Sequence, residues 1–402
     1  MTSICIIGAG IMGCTSAYML HKAGFDVTLV DREKEAGLKA SNSNAAQLGF
    51  SSIYPFASIE DVLSHAGHLL FSNPLTDDVY VKRDFSMQAL RFFAALGYYS
   101  LPSRYKKQAS KLHDMVEESC LVLNTFMSEN PDIDFDYKTS GKIYVYGTEE
   151  RFKNALKNIK GHKPEVLLAD DLMKYAPCLS YRDNTPYGGL LHKGDYIGNS
   201  GKLCREIVAQ LEKKGRFQLL SQTKVSSLEV DKTKSIMAVN TDQGPLSFDA
   251  YIVTAGAWSS KILTPLGIKM PFYPVKGYTL TLKSDFKTDT CISDTDYGFA
   301  YAPLGDDLRI SGMMDFEGWD DSINPDRAAL LKARVKKAYP DLDIQDAELR
   351  CGLRPVHASS LPIIGRRKYK NLYLNLGQGM WGWTLSFASA KYLSDQVVLD
   401  YA

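Results

Sequence analysis

The sequence predicts an α/β protein, α+β overall, in which a Rossmann-type dinucleotide-binding domain is joined to a second domain built on an antiparallel sheet. Three observations predict it. Residues 1–32 read as strand, glycine turn, helix, strand and terminal acid. Glycine-rich strand-to-helix turns recur far downstream, at Gly256 and over residues 377–382. Residues 273–282 and 308–313 alternate with period two, the pattern of antiparallel strands.

The opening segment carries the most information. Ile4-Cys5-Ile6-Ile7 is a short β-branched run suited to a strand buried on both faces. It enters Gly8-Ala9-Gly10-Ile11-Met12-Gly13, then a helix through Ala17, Leu20 and Ala23. Gly8 permits the tight turn, Gly10 lets a pyrophosphate approach the backbone, and Gly13 lets helix and strand pack closely. The phosphates would then meet the free N–H groups of a helix N-terminus. A second strand over 25–30 ends at Asp31, 18 residues after Gly13, placed to accept from ribose hydroxyls. A βαβ unit with incidental glycines accounts poorly for three at this spacing.

A chain of 402 residues can bury two domains. Its 45% hydrophobic and 23% charged content is that of a soluble globular protein. A net charge of +1 gives no general case for nucleic acid or for electrostatic membrane attachment. The seven cysteines are scattered and form no CxxC pair, which suits a reducing cytoplasm and argues against a disulfide framework or a zinc site; no metal is expected. The N-terminus reads as the buried first strand rather than a signal peptide. No apolar run approaches the ~20 residues of a membrane span. The expectation is a cytoplasmic protein, at most peripheral to the inner membrane.

The remaining elements follow in order. Residues 33–39 form a charged loop. Ala40-Ser41-Asn42-Ser43-Asn44-Ala45-Ala46-Gln47-Leu48-Gly49 is small and amide-rich, either a solvated loop or a chain passing close to a flat polar ligand; Asn44-Ala45 is expected to begin a helix. Residues 63–105 hold the aromatics Phe92, Phe93, Tyr98 and Tyr99, read as helical core packing. Leu112, Met115, Val116, Ser119, Leu123 and Phe126 give residues 111–127 an amphipathic period. Strands are expected over 142–146, from 188, over 223–228 and over 236–240; helices over 149–159, 201–215 and 325–339. The strand ending in Ala255-Gly256-Ala257 is followed by Trp258 and is either a second ligand contact or a tight turn. A strand over 372–376, the loop 377–382 and a helix from Thr384 close the chain. The expected partition is 1–80, 188–272 and 345–402 for the cofactor domain, with 81–187 and 273–344 for the substrate domain.

Two facts favour FAD over a nicotinamide cofactor: the fingerprint lies at the extreme N-terminus, and the glycine turns at Gly256 and 377–382 could be touched by one extended flavin. A helix from Thr384 would aim its donors past Gly382 at the flavin edge, unless 377–382 is merely a flexible connection.

Several motifs carry a resemblance over nearly the whole chain. They are GAGIMG, Ser41-Asn42-Ser43-Asn44-Ala45 with Gln47, Tyr273-Pro274-Val275-Lys276-Gly277-Tyr278, Gly352-Leu353-Arg354-Pro355, Pro362-Ile363-Ile364-Gly365-Arg366 and Gly-x-Gly-x-x-Gly-Trp-Thr ending at Thr384. Together they resemble the D-amino-acid oxidase superfamily of flavoproteins, and within it the bacterial D-amino acid dehydrogenase small-subunit branch. The resemblance implies a D-amino-acid oxidase / glutathione-reductase-like fold, with non-covalent FAD and an antiparallel sheet roofing the pocket. It implies hydride transfer from Cα of an amino acid, D being favoured, to flavin N5. The imino acid then hydrolyses to a 2-oxo acid and ammonia, and the electrons pass to a quinone or respiratory acceptor. A neutral amine lone pair assists such a step, so no side-chain base is demanded, and positioning and electrostatics carry the catalysis.

The resemblance assigns cofactor contacts to Gly8, Gly10, Ile11, Met12, Gly13, Asp31 and Arg32, then to Ser41, Asn42, Ser43, Asn44, Ala45, Gln47 and Leu48. Downstream it adds Val225, Ala255, Gly256, Trp258, Arg354, Gly379, Trp381, Gly382, Trp383 and Thr384. Arg354, Tyr54 and Gln378 are the substrate-side residues. Arg354 would grip the substrate carboxylate bidentately, the rival being a core salt bridge. Tyr54 would cover the ligand or simply pack. Arg309 falls near the lysine with which the sarcosine-oxidase branch activates oxygen.

The chain also departs from the family. GLRP-x-T-P-D-G-x-P becomes Gly352-Leu353-Arg354-Pro355 followed by Val356-His357-Ala358-Ser359-Ser360-Leu361-Pro362, losing the acid; Gly-His-Gly becomes Gly377-Gln378-Gly379; and Trp381 adds bulk. The Asp-Glu-Thr-Gly stretch usual in the dehydrogenase is replaced around Asp195-Tyr196-Ile197-Gly198. Cys351, one position from where some relatives attach flavin, is read as a bystander. An oxygen-using glycine-, sarcosine- or proline-type amine oxidase making hydrogen peroxide is the second reading, and a flavin-binding scaffold without catalysis the third.

Overall fold

Ile4 and Ile6 face one buried layer and Cys5 and Ile7 another, because their strand has two neighbours and a covering layer on each side. The computed structural model describes residues 1–65, 67, 71–82, 84, 86–159, 162–286 and 288–401. The part of the 63–105 helical reading that falls on 66, 68–70, 83 and 85 lies outside them.

Ser3–Ile7 lies inside a six-stranded sheet ordered Ile363–Arg366, Leu372–Leu376, Ala250–Val253, Ser3–Ile7, Asp26–Val30, Phe217–Leu220. All its pairs are parallel except the first. The helices Ile11–Lys22, Ser200–Lys214 and Gly382–Tyr401 pack together against one face, with the long helix Pro102–Glu129 laid over the last of them. The opposite face is covered by a three-stranded antiparallel sheet, whose Leu228, Ile236 and Val239 meet Cys5, Ile7 and Val253.

The second large sheet has nine strands. Phe272–Lys283 pairs antiparallel with both Asp307–Phe316 and Glu348–His357, and sets Val275 opposite Arg354. Lys142–Tyr146 lies between Cys291–Asp294 and Gly188–His192. The two-residue pair Gln47–Leu48 with Tyr196–Ile197 is a separate small sheet.

Several sequence expectations are corrected. No helix begins at Asn44-Ala45: Asn44 Oδ1 accepts from the Ala46 N–H at 2.9 Å, and Ala46 adopts φ +57, so the chain turns and runs into a short strand. The last helix starts at Gly382 rather than Thr384, after a 3-10 turn over Gly379–Trp381. The 111–127 helix extends to Pro102–Glu129, opened by a proline that needs no N–H partner there. Phe92 and Phe93 pack with Tyr273 and Phe316, whereas Tyr98 is 47% exposed.

Candidate active site

The glycine turn is shaped by close approach. Gly8 holds φ +109, and a Cβ on Gly13 would stand 1.9 Å from the Gly8 carbonyl oxygen. Only glycine at 13 lets helix and strand come this near. Gly10 caps Ile11–Lys22 without a side-chain hydrogen bond of its own; the Ile11 amide is taken by Ser41, which leaves the amides of Met12 and Gly13 without a side-chain cap from Gly10. The turn is braced from behind: Ser41 Oγ accepts from Ile11 N–H at 2.9 Å, and Thr254 Oγ1 donates to the carbonyls of Ile7 and Gly8.

Asp31 accepts from the N–H of Ala9 at 2.5 Å and from that of Glu33 at 2.9 Å. Burial raises its pKa above the ordinary carboxylate range, and these two amides oppose the rise. Beside it Trp258 lies between two cations, the Arg32 guanidinium 4.4 Å and the Lys261 ammonium 4.5 Å from its ring centre.

A cavity of about 770 Å³ is lined by this turn, by Asp31, Arg32 and Trp258, and by Val225, Ala255 and Gly256. The loop residues Ser41, Ser43, Asn44, Ala45 and Gln47 line it as well. Asn44 holds that loop by donating to the Ser41 carbonyl at 3.1 Å and to Ser200 Oγ at 2.5 Å. Gln47 Nε2 is buried beside the Cys291 thiol and makes no hydrogen bond of ordinary geometry among the described residues.

The same cavity is lined from the second sheet and the closing loop by Arg354, Gln378, Gly379, Trp381, Gly382 and Trp383. Arg354 Nη1 makes two long contacts, 3.4 Å each, to the carbonyls of Lys276 and Met313. No ion pair to it occurs among the described residues. Asp315, the acid whose field reaches it, is bound to Arg327, and burial lowers the pKa of Arg354. Gln378 is 2% exposed and donates to Asn375 Oδ1 at 2.6 Å, which fixes its amide. The indole N–H groups of Trp381 and Trp383 donate to the carbonyls of Tyr54 and Gly198.

Five of the sequence-derived residues stand behind the wall. Gly13 sets the helix approach, Leu48 is core, and Asn42 packs on Gly201. Thr384 Oγ1 accepts from Gly49 N–H at 3.0 Å. Tyr54 offers Trp381 its carbonyl, while burial pushes its phenol up to about 12. Arg309 is buried, donates to Thr281 Oγ1 and is absent from the cavity wall; burial lowers its pKa to about 10. Cys351 does line the cavity, with its thiol donating to the Asp321 carbonyl at 3.2 Å. In the altered 357–361 loop, His357 Nδ1 meets Ser359 Oγ at 2.7 Å, and burial brings the imidazole pKa down to about 4. Sequence reasoning missed Lys142, Tyr144, Lys261 and Asn375 on the wall. A lysine inside the apolar run Lys142-Ile143-Tyr144-Val145-Tyr146 was the available signal for the first two.

The residues fit a flavin dinucleotide. The volume is near the top of the ~300–1,000 Å³ range of small-molecule sites. One end offers a phosphate turn and an acid, and the walls offer a buried amide donor in Gln47 that, among the described residues, has no hydrogen bond of ordinary geometry.

Comparison with known proteins agrees. The DAO family model, described as FAD dependent oxidoreductase, matches residues 3–396. A D-amino acid dehydrogenase of Rhizobium johnstonii is 31% identical over 403 residues, covering 98% of this chain and 95% of its own. A D-amino acid dehydrogenase 2 of Pseudomonas aeruginosa is 29% identical over 402 residues, covering 98% and 94%. Among solved structures, glycine oxidase from Bacillus cereus superposes with TM-score 0.74 at 19% identity, over 99% of this chain and 95% of that one. L-proline dehydrogenase from P. horikoshii does so with TM-score 0.69 at 16% identity, over 98% and 93%. At such identities these two likenesses speak to the fold.

Proposed function

The chain belongs to the DAO family of FAD-dependent oxidoreductases, and from that premise we propose that it is a dehydrogenase of amino acids, D-amino acids being its substrates. FAD is its cofactor and supplies the hydride acceptor when bound. The observation that carries the reading is Arg354, a guanidinium in the cavity wall with two weak carbonyl contacts and no carboxylate of its own among the described residues. Such a group is set to receive a substrate carboxylate through paired N–H donors. The relatives named D-amino acid dehydrogenase, which match this chain nearly end to end, support the same class of substrate.

The protein's contribution is positioning. Arg354 fixes the carboxylate end of the amino acid, Gln378 presents a clamped amide, and Trp381 with Trp383 keeps water from the reacting carbon. The cofactor is held by the Gly8–Gly13 turn, Asp31, the 41–47 loop and Trp258. The cofactor lobe is taken as 1–80, 188–272 and 345–402 and the substrate lobe as 81–187 and 273–344; Gly188–His192 and Glu348–His357, at the edges of the first, pair within the nine-stranded sheet of the second.

Electrons leave to a quinone or another respiratory carrier in this reading. Among the described residues no helix is long and apolar enough to cross a membrane; contact with a membrane acceptor would be peripheral. The test is an anaerobic screen of D- and L-amino acids for loss of flavin absorbance, followed by aerobic assay with a quinone analogue. D-amino acids should bleach the flavin and reduce the quinone faster than they generate hydrogen peroxide. Peroxide formed in step with turnover would instead establish an oxidase, and a flavin that no amine bleaches would leave a scaffold.

A further inference from the structure

The cavity wall holds a buried cation, Lys142, that the reaction as described does not use. Lys142 is 8% exposed, lines the cavity, and donates from Nζ to Tyr144 Oη at 2.7 Å. Among the described residues no carboxylate pairs with it. Asp195, the nearby acid, is already occupied: its Oδ1 accepts from the N–H and hydroxyl of Ser51 at 2.7 and 2.6 Å, and its Oδ2 from Ser52 Oγ at 2.9 Å. A buried ammonium without a paired anion is costly, and the cost is recovered when a ligand brings the anion.

Lys142 belongs to a different sheet from the strand that enters the phosphate turn. Lys142 lies opposite Cys291 and His192 in the second sheet, with Gln47 beside Cys291 and Tyr54 in the field of Tyr144. The phosphate turn and Asp31 belong to the parallel sheet and have their own donors. Burial works against the charge of Lys142, but Tyr144, Cys291 and Asp195 outweigh it and hold the amine above its ordinary pKa. His192, the other titratable neighbour, is shifted down by burial and faces the same group as a neutral ring.

Resting on the amino acid reading above, we propose that Lys142 and Tyr144 form an anion site for the substrate's side chain, so that the preferred substrate is a dicarboxylic amino acid. Arg354 takes the α-carboxylate. Lys142 Nζ takes the second carboxylate, and Tyr144, whose oxygen accepts from the lysine, donates its own proton to the same group. The chemistry on the α-carbon is unchanged.

Isosteric pairs test this. D-glutamate and D-aspartate should exceed D-glutamine and D-asparagine in kcat/KM, and the acid-to-amide ratio should fall about 10- to 100-fold in Lys142→Met, the loss of a charge-assisted contact. Lys142→Arg should retain the preference for the acid, which separates lost charge from a damaged pocket. A ratio indifferent to the substitution, or a wild type that favours the amides, overturns the proposal. So does a Lys142→Met protein whose ratio holds while its flavin reoxidises more slowly in oxygen, since the lysine would then serve the cofactor. Binding gives an independent readout: glutarate should perturb the flavin spectrum at lower concentration than butyrate in the wild type, and lose that advantage in Lys142→Met. If no amino acid reduces the flavin but this binding difference is found, the amino acid reading fails while the anion site stands; if glutarate and butyrate bind alike, the site itself is refuted.

Discussion

The indole N–H of Trp381 donates to the backbone carbonyl of Tyr54 at 2.9 Å, tying the closing loop to the segment that leaves the 40–49 loop. The two residues are 327 positions apart, and the bond joins the walls on either side of Gly49, where an added Cβ would meet the Trp381 ring at 3.5 Å. Trp381→Phe keeps an aromatic ring and removes the pyrrole ring with its N–H donor. An unsatisfied half-buried carbonyl costs about 1–3 kcal/mol, so the FAD-loaded variant should unfold at lower denaturant and release flavin faster on dilution. Unchanged values for both would show that the bond does not secure the loop.

Gly13→Ala places a methyl 1.9 Å from the Gly8 oxygen, backbone against backbone. Neither atom can swing aside, so the helix must move off the strand at a cost of roughly 1–3 kcal/mol or more. The variant should purify with a reduced flavin-to-protein ratio, read from its visible spectrum. A fully loaded Gly13→Ala protein would contradict the role given to the glycine turn.

Arg354→Lys replaces a planar fork with a point charge. Flavin content should hold while KM for the amino acid rises about 10- to 100-fold, the worth of a charge-assisted pair. An unchanged KM would remove Arg354 from the substrate.

Gly277 tests the same guanidinium from the other side. A Cβ there would lie 2.5 Å from Arg354 Nη1. The end of a flexible side chain can give way, so Gly277→Ala should fold and bind flavin. The displaced guanidinium should raise KM far more than it lowers the denaturation midpoint. Equal kinetics in the variant and the wild type would mean that Arg354 is not held where substrate binds.

His357 sets a pH dependence. Its imidazole pKa is brought down to about 4 by burial, against ~6.5 in the unfolded chain. Between these values the unfolded state binds the extra proton. Stability from this group is therefore complete above pH ~6.5 and declines as pH falls toward 4, by ~3 kcal/mol in all. His357→Gln should flatten that part of the stability curve in a urea titration series. A wild-type curve already flat from pH 6.5 to 4 would refute the assignment.

How much of this was written in the chain is seen by comparing Asp31 with Lys142. Asp31 follows the glycine turn by one helix and one strand, and that spacing alone places it beside Ala9. Lys142 reads as an ordinary strand residue. It reaches the cavity because Lys142–Tyr146 pairs with Cys291–Asp294 and Gly188–His192, strands that are distant in sequence. The helix expected at Asn44 failed for a local reason, since the Asn44 side chain captured the Ala46 amide first.

The sequence by itself determined the cofactor fold: short-range patterning of glycine, β-branched residues and acid is enough to build a strand–turn–helix with its phosphate donors. Only the tertiary structure decided the far wall, because the company that Arg354, Lys142 and Trp381 keep depends on which strands and loops meet. A buried charge acquires its meaning from the partners it lacks, and those cannot be counted until the chain has closed around it.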